Sequence, residues 1–166
     1  YEGSTNNADT LVYKVENHSW QSEITDRNHR NTRRYIGFDA QISLNTDFGK
    51  TNLRGEYIFG KQPSMETDIK SPNNNEYTDY FSYQRDFSSS YLYLIQQINN
   101  KPLFVVFKYS FFNPNTKIND NEIRNKGDIK YTNYGIGCYY DFKYGIKLAC
   151  FYDIFQNEKT NSLPSY

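Results

Sequence analysis

From Tyr35 onward the chain alternates with a period of two. Ile36, Phe38, Ala40, Ile42 and Leu44 fall on one face of an extended segment, and Gly37, Asp39, Gln41 and Ser43 fall on the other. This is the spacing of a strand with one apolar and one polar side. After Asp47-Phe48-Gly49-Lys50 the pattern resumes, with Leu53, Gly55, Tyr57 and Phe59 against Arg54, Glu56 and Gly60, and with Ile58 as the exception. Glycine accepts positive φ, so Phe48-Gly49 suits a two-residue turn. That turn pairs Gln41 with Glu56, Ser43 with Arg54 and Ala40 with Tyr57, and both faces then agree in character across the pair.

Four more strands follow. Residues 91–98 are apolar enough for a strand but alternate poorly, so the pattern assigns them no faces. Asn99-Asn100-Lys101-Pro102 makes a turn into a strand in which Leu103, Val105, Phe107, Tyr109 and Phe111 oppose Phe104, Val106, Lys108 and Ser110. The clearest hairpin comes last. Thr132, Tyr134, Ile136, Cys138 and Tyr140 share a face opposite Asn133, Gly135, Gly137, Tyr139 and Asp141. Beyond Lys143-Tyr144-Gly145, Ile146, Leu148, Cys150, Tyr152 and Ile154 oppose Lys147, Ala149, Phe151 and Asp153. Pairing Phe142 with Ile146 sets Cys138 directly opposite Cys150, where a cross-strand disulfide is conceivable though its geometry is restrictive. Two small apolar residues on an apolar face are the simpler reading.

The connections are unequal. Tight turns near residues 48, 100 and 144 alternate with polar segments over 61–87 and 113–128, far longer than the usual hairpin loop of about 2–5 residues. Residues 1–34 read as one more polar loop segment, with room for a small hairpin arm at Leu11, Tyr13 and Val15. Residues 35–166 carry the hairpins. Short turns on one side and long loops on the other, with strands of roughly 9–11 residues, are the rhythm of an outer-membrane barrel. A β-sandwich more often keeps turns short at both ends.

Composition sharpens this picture. Tyr (17) and Phe (12) dominate an aromatic share of 18%, which favours half-buried pleated surfaces, although mean hydropathy is strongly negative. Lys and Arg (19) balance Asp and Glu (19), so no net charge points to nucleic acid. No apolar run is long enough for a membrane-spanning helix, and no signal segment opens the chain. The polar face carries charge on several strands: Asp39, Arg54, Glu56, Lys108, Asp141, Lys147 and Asp153. With Gln41, Ser43 and Asn133 these are the residues expected to line a lumen. Tyr35, Tyr57, Phe59, Phe111, Phe142 and Tyr144 sit where interfacial aromatic girdles lie.

Three stretches resemble the phosphate-selective porin O and P family of outer-membrane porins. They are Thr51-Asn52-Leu53-Arg54-Gly55-Glu56-Tyr57-Ile58-Phe59-Gly60-Lys61-Gln62, Phe107-Lys108-Tyr109-Ser110-Phe111-Phe112-Asn113-Pro114-Asn115-Thr116, and Lys130 to Glu158 with Tyr152-Asp153-Ile154 and Asn157-Glu158. The resemblance implies a longer barrel, often trimeric, that passes small hydrophilic solutes. The last stretch is similar to that family's penultimate hairpin. About six strands cannot close the usual barrel of eight or more. The proline in Asn161-Ser162-Leu163-Pro164-Ser165-Tyr166 also argues against a closing strand. The expectation is therefore the C-terminal portion of a barrel, incomplete at both ends. Anion selectivity does not follow, because Arg54, Lys108 and Lys147 are offset by Asp39, Glu56, Asp141 and Asp153.

Catalysis is not expected, nor is a cofactor. His18 and His29 lie in the N-terminal polar segment, away from any strand where a histidine could activate a serine beside lipid. Asn119-Asp120-Asn121-Glu122 and Asp128 are dense in oxygen ligands but lack the glycine and glutamate register of a calcium loop. Asn17 to Ser19 is a weak glycosylation match. The reading is an all-β, antiparallel transmembrane barrel fragment in a Gram-negative outer membrane, a passive channel for small hydrophilic solutes or ions. Its surroundings would be outer-membrane lipid and lipopolysaccharide, in a homotrimer or larger membrane assembly. The alternatives are a soluble, aromatic-rich β-sandwich that binds carbohydrate, and a plugged barrel serving as a scaffold.

Overall fold

A computed structural model describes residues 2–6, 11–25, 30–64, 81–118 and 126–158. Nine strands form one sheet: β1 (Glu2–Asn6), β2 (Leu11–Glu16), β3 (Ser19–Ile24), β4 (Arg30–Thr46), β5 (Gly49–Ser64), β6 (Phe81–Gln97), β7 (Leu103–Asn113), β8 (Tyr131–Asp141) and β9 (Lys147–Asn157). The spatial order is β1-β4-β5-β6-β7-β8-β9, and β4 to β9 form an antiparallel meander. Among the described residues the sheet does not close on itself. The architecture is therefore all-β, and among the described residues no second sheet packs on this one.

The turns carry the register. Tyr144 (φ 75°) and Gly145 (φ 78°) build the last one, and the Phe142 amide donates to the Ile146 carbonyl at 2.8 Å. Cys138 therefore pairs with Cys150 as expected, and both thiols are free and exposed. Asn99 (φ 48°) and Asn100 (φ 54°) sit in the left-handed region, which asparagine tolerates, between β6 and β7. The first turn differs from expectation. Thr46 pairs with Gly49, so Asp47-Phe48 is the turn, Gln41 faces Arg54, Ser43 faces Asn52 and Ala40 faces Gly55. Each partner moves by two residues, so every side chain keeps its face. Neighbouring turns bond to each other: the Asn99 amide donates to the Phe48 carbonyl at 2.7 Å, and the Asp141 amide to the Pro102 carbonyl at 2.8 Å.

The strands run further toward the loop end than alternation suggests. Residues 61–64 and 81–87, expected within a long loop, continue β5 and β6, with Gln62 paired to Arg85 and Ser64 to Tyr83. The polar residues before Tyr35 are likewise strand-forming. β1 pairs with β4 from Glu2–Arg34 to Asn6–Arg30, and β2 and β3 form a hairpin turning at Asn17 (φ 50°) and His18 (φ 63°). β2 runs parallel to the start of β6, Leu11 against Phe81 through Lys14 against Gln84, above the point where β7 ends.

Over residues 91–98 β6 alternates poorly because Tyr91, Tyr93 and Ile95 lie on one face and Leu92 and Leu94 on the other, so both faces carry apolar or aromatic side chains. At its loop end the odd positions Arg85 and Phe87 are buried and Tyr83 is part-buried, while Gln84 and Asp86 are polar. Lower down the apolar residues Leu92 and Leu94 occupy even positions. No single period therefore describes the strand.

Candidate functional site

Successive pairings place the polar residues in straight rows across the sheet. One row runs Gln41, Arg54, Tyr93, Lys108, Gly135, Asp153 from β4 to β9. The next, toward the loops, runs Asp39, Glu56, Tyr91, Ser110, Asn133, Phe155. Ser43 lies one row toward the turns, bonded through its hydroxyl to Asn52 Oδ1 at 2.5 Å. Asp141 and Lys147 are apart from these rows at the turn end, where they pair across β8 and β9 at 3.3 Å. All the residues expected along a lumen therefore share one face of the sheet, and most of them cluster in two rows.

The centre of this face is an ion pair that skips a strand. Lys108 Nζ on β7 reaches Asp153 Oδ1 on β9 at 2.6 Å, and Asn133 Nδ2 donates to the same oxygen at 3.3 Å. Gly135 lies between them on β8, and a Cβ there would collide with the Lys108 side chain and with the Asp153 carboxylate. The glycine is thus a slot for the lysine stem. One row toward the turns, Phe151 lies over Gly137 in the same way, and the Lys108 ammonium is 5.9 Å from the Phe151 ring centre. Arg54 lies 5.8 Å from the ring centre of Tyr91, and Lys147 lies 5.6 Å from that of Tyr139. The cations therefore lie against aromatic faces and carboxylates.

Tyr91 and Tyr93 belong to this face and were not singled out from sequence, because β6 has no single period; Ser110 shares it beside Lys108, as the alternation of β7 implied. The role of Gly135 was also illegible. Its signal is a glycine within an otherwise strong strand, which marks a close approach.

The opposite face is mostly apolar and, among the described residues, uncovered. Between Ile36 and Leu44 on β4, and over the matching stretches of β5 to β9, it carries no Asp, Glu, Lys or Arg. Phe38 is 66% exposed, Tyr152 67% and Leu148 68%. At about 3.4 Å per residue the uncharged band is about 27 Å long on β4, and Ser90, Gln96 and Thr132 lie among its apolar residues.

The loop end is closed by a buried polar cluster. Arg85 Nε bonds Asp128 Oδ1 at 2.7 Å, Asn115 Nδ2 donates to the same oxygen at 3.0 Å, and all three residues are fully buried. The Arg85 guanidinium also lies 5.1 Å from the ring centre of Tyr83 and 5.4 Å from that of Trp20, so the arm, β6 and the segment after β7 meet on one cation. Asp128 is thus committed to protein partners. Among the described residues no cluster of metal-ligating side chains occurs, and residues 119–122 and His29 lie outside the described residues. His18 Nδ1 contacts the Lys117 carbonyl at 3.0 Å.

No protein family, characterised protein or solved structure matches this chain.

Proposed function

We propose that this chain forms part of the wall of an outer-membrane β-barrel porin, a passive channel for small hydrophilic solutes or ions. The observation that carries the reading is the uncovered, charge-free apolar band on β4 to β9, backed by a face with ordered rows of charge. In a barrel the first face meets lipid and the second meets water. At a strand tilt of about 40° the band spans ~20 Å along the bilayer normal, near the roughly 25 Å apolar belt of outer-membrane barrels. A carbohydrate-binding sandwich would instead cover that face with a second sheet.

The turn asymmetry and the three porin-like stretches support the same reading. In it Arg54, Lys108 and Asp153 set the lumen field with Asp39 and Glu56, and the last-row pair Asp141–Lys147 lies at the turn-side mouth. Planar-bilayer recording of the full-length protein tests it. Discrete conductance steps are expected, and a folded protein that gives none overturns the channel function. Refolding from urea in buffer without detergent or lipid would return the sandwich to first place.

A further inference from the structure

Aromatic rings recur in successive rows along the charged side of the sheet, the side that faces water in the porin reading. Tyr91 and Tyr93 stand beside each other on β6, with ring centres 5.4 Å apart and planes at 73°. One row from Tyr93 toward the turns is Phe151 on β9, and in the row after that the rings of Phe104 and Tyr139 stack at 4.6 Å. Rings thus occupy four consecutive rows, a track of about 20 Å at two residues per row. Acyl chains would lie on the other face and do not account for them. Neighbouring strands do not seal them either: β6 is flanked on both sides, and Tyr93 is still 37% exposed.

Hydrogen-bonding groups border the two tyrosines. Tyr93 stands in register between Arg54 and Lys108, and Tyr91 between Glu56 and Ser110. The charges balance: Arg54 and Lys108 are matched by Glu56 and Asp153, with Lys108 bonded to Asp153 at 2.6 Å. Beyond them Asp39 and Asp141 are offset by Lys50 and Lys147. Such a surface selects neither anions nor cations. It suits an uncharged solute with apolar ring faces and a rim of hydrogen-bonding groups, and a pyranose has that form. Its axial C–H bonds pack on an aromatic face, while its hydroxyls donate to carboxylates and accept from ammonium, guanidinium and hydroxyl groups. We propose that this face binds a neutral oligosaccharide, one ring stacked on Tyr93 within reach of Arg54, Glu56 and Lys108, the chain running toward Phe151 and the Phe104–Tyr139 pair. The proposal rests on the porin reading and names the class of solute that the channel guides.

The test is planar-bilayer recording of the full-length protein with maltotriose as the probe and a polyethylene glycol of similar mass as a neutral solute without sugar rings. Maltotriose is expected to interrupt the current in a concentration-dependent way, and the glycol is not. Read as a fraction of each channel's own open current, the same interruption should need roughly tenfold more sugar in the Y91A/Y93A double variant. Y93F, which keeps the ring, should stay close to the wild type. A conducting channel that maltotriose leaves undisturbed overturns the saccharide site and leaves the porin reading standing. Equal interruption by the glycol, or of the wild type and Y91A/Y93A, does the same. A folded protein that never conducts overturns the porin reading instead. Ligand-observed NMR with maltotriose, in a detergent without a sugar head group, then decides the site: binding that Y91A/Y93A loses supports it, and no binding overturns it.

Discussion

Lys108 and Asp153 join β7 to β9 across the intervening β8, at 2.6 Å, through the space left by Gly135. Filling that slot separates the pair. Gly135→Val should destabilise the folded protein by about 1–3 kcal/mol, the usual range for overpacking, read as a lower urea midpoint in lipid vesicles. Gly145→Val would be a poor control because its φ is positive. Ala149→Val, on the same face near the turns, should change the midpoint far less.

The same pair sets a sign for selectivity. Asp153→Asn leaves Lys108 without its carboxylate and should move the reversal potential under a salt gradient toward anions. Arg54→Glu together with Lys108→Glu should move it toward cations, since fixed charge in a confined lumen attracts its counter-ion. No movement in either variant would remove these residues from the conducting path.

On the other face a charge should be costly. Ile136 lies mid-strand, 49% exposed, within the uncharged band. If that face meets acyl chains, Ile136→Lys should cost ~2–4 kcal/mol, measured by urea titration in vesicles. At a water-facing position the same change is usually within about 0.5 kcal/mol.

The buried cluster at the loop end should be the arm's anchor. Asp128→Ala removes the carboxylate bonded to the fully buried Arg85 Nε, and breaking a buried pair in this way costs about 3–5 kcal/mol. The expected readout is early proteolytic cleavage around β2 and β3, with the β4–β9 sheet still protected. Cleavage that begins in β8 or β9 would contradict an anchoring role.

Much of this was legible in the chain because alternation is a local signal. Residues 36–44, 132–140 and 146–154 keep one apolar side throughout, and the structure places Cys138 opposite Cys150 as the pattern implied. The first hairpin shows the limit. Shifting the turn from Phe48-Gly49 to Asp47-Phe48 changes each partner by two and leaves both faces intact, so the hydrophobic pattern cannot choose between them. β6 was unreadable for another reason: over residues 91–98, Tyr91 and Tyr93 lie on the side of Arg54 and Lys108 while Leu92 and Leu94 lie on the other, so both faces carry large apolar or aromatic side chains and no period stands out.

The most direct measurement is a nitroxide scan along β8 in lipid vesicles, one label at a time over 132–141. Labels at Thr132, Tyr134, Ile136, Cys138 and Tyr140 should collide with oxygen, which concentrates in acyl chains. Those at Asn133, Gly137, Tyr139 and Asp141 should collide with a water-soluble nickel chelate. Even-numbered labels shielded from both reagents would mean that the apolar face is covered by protein, and the membrane-wall reading would be wrong.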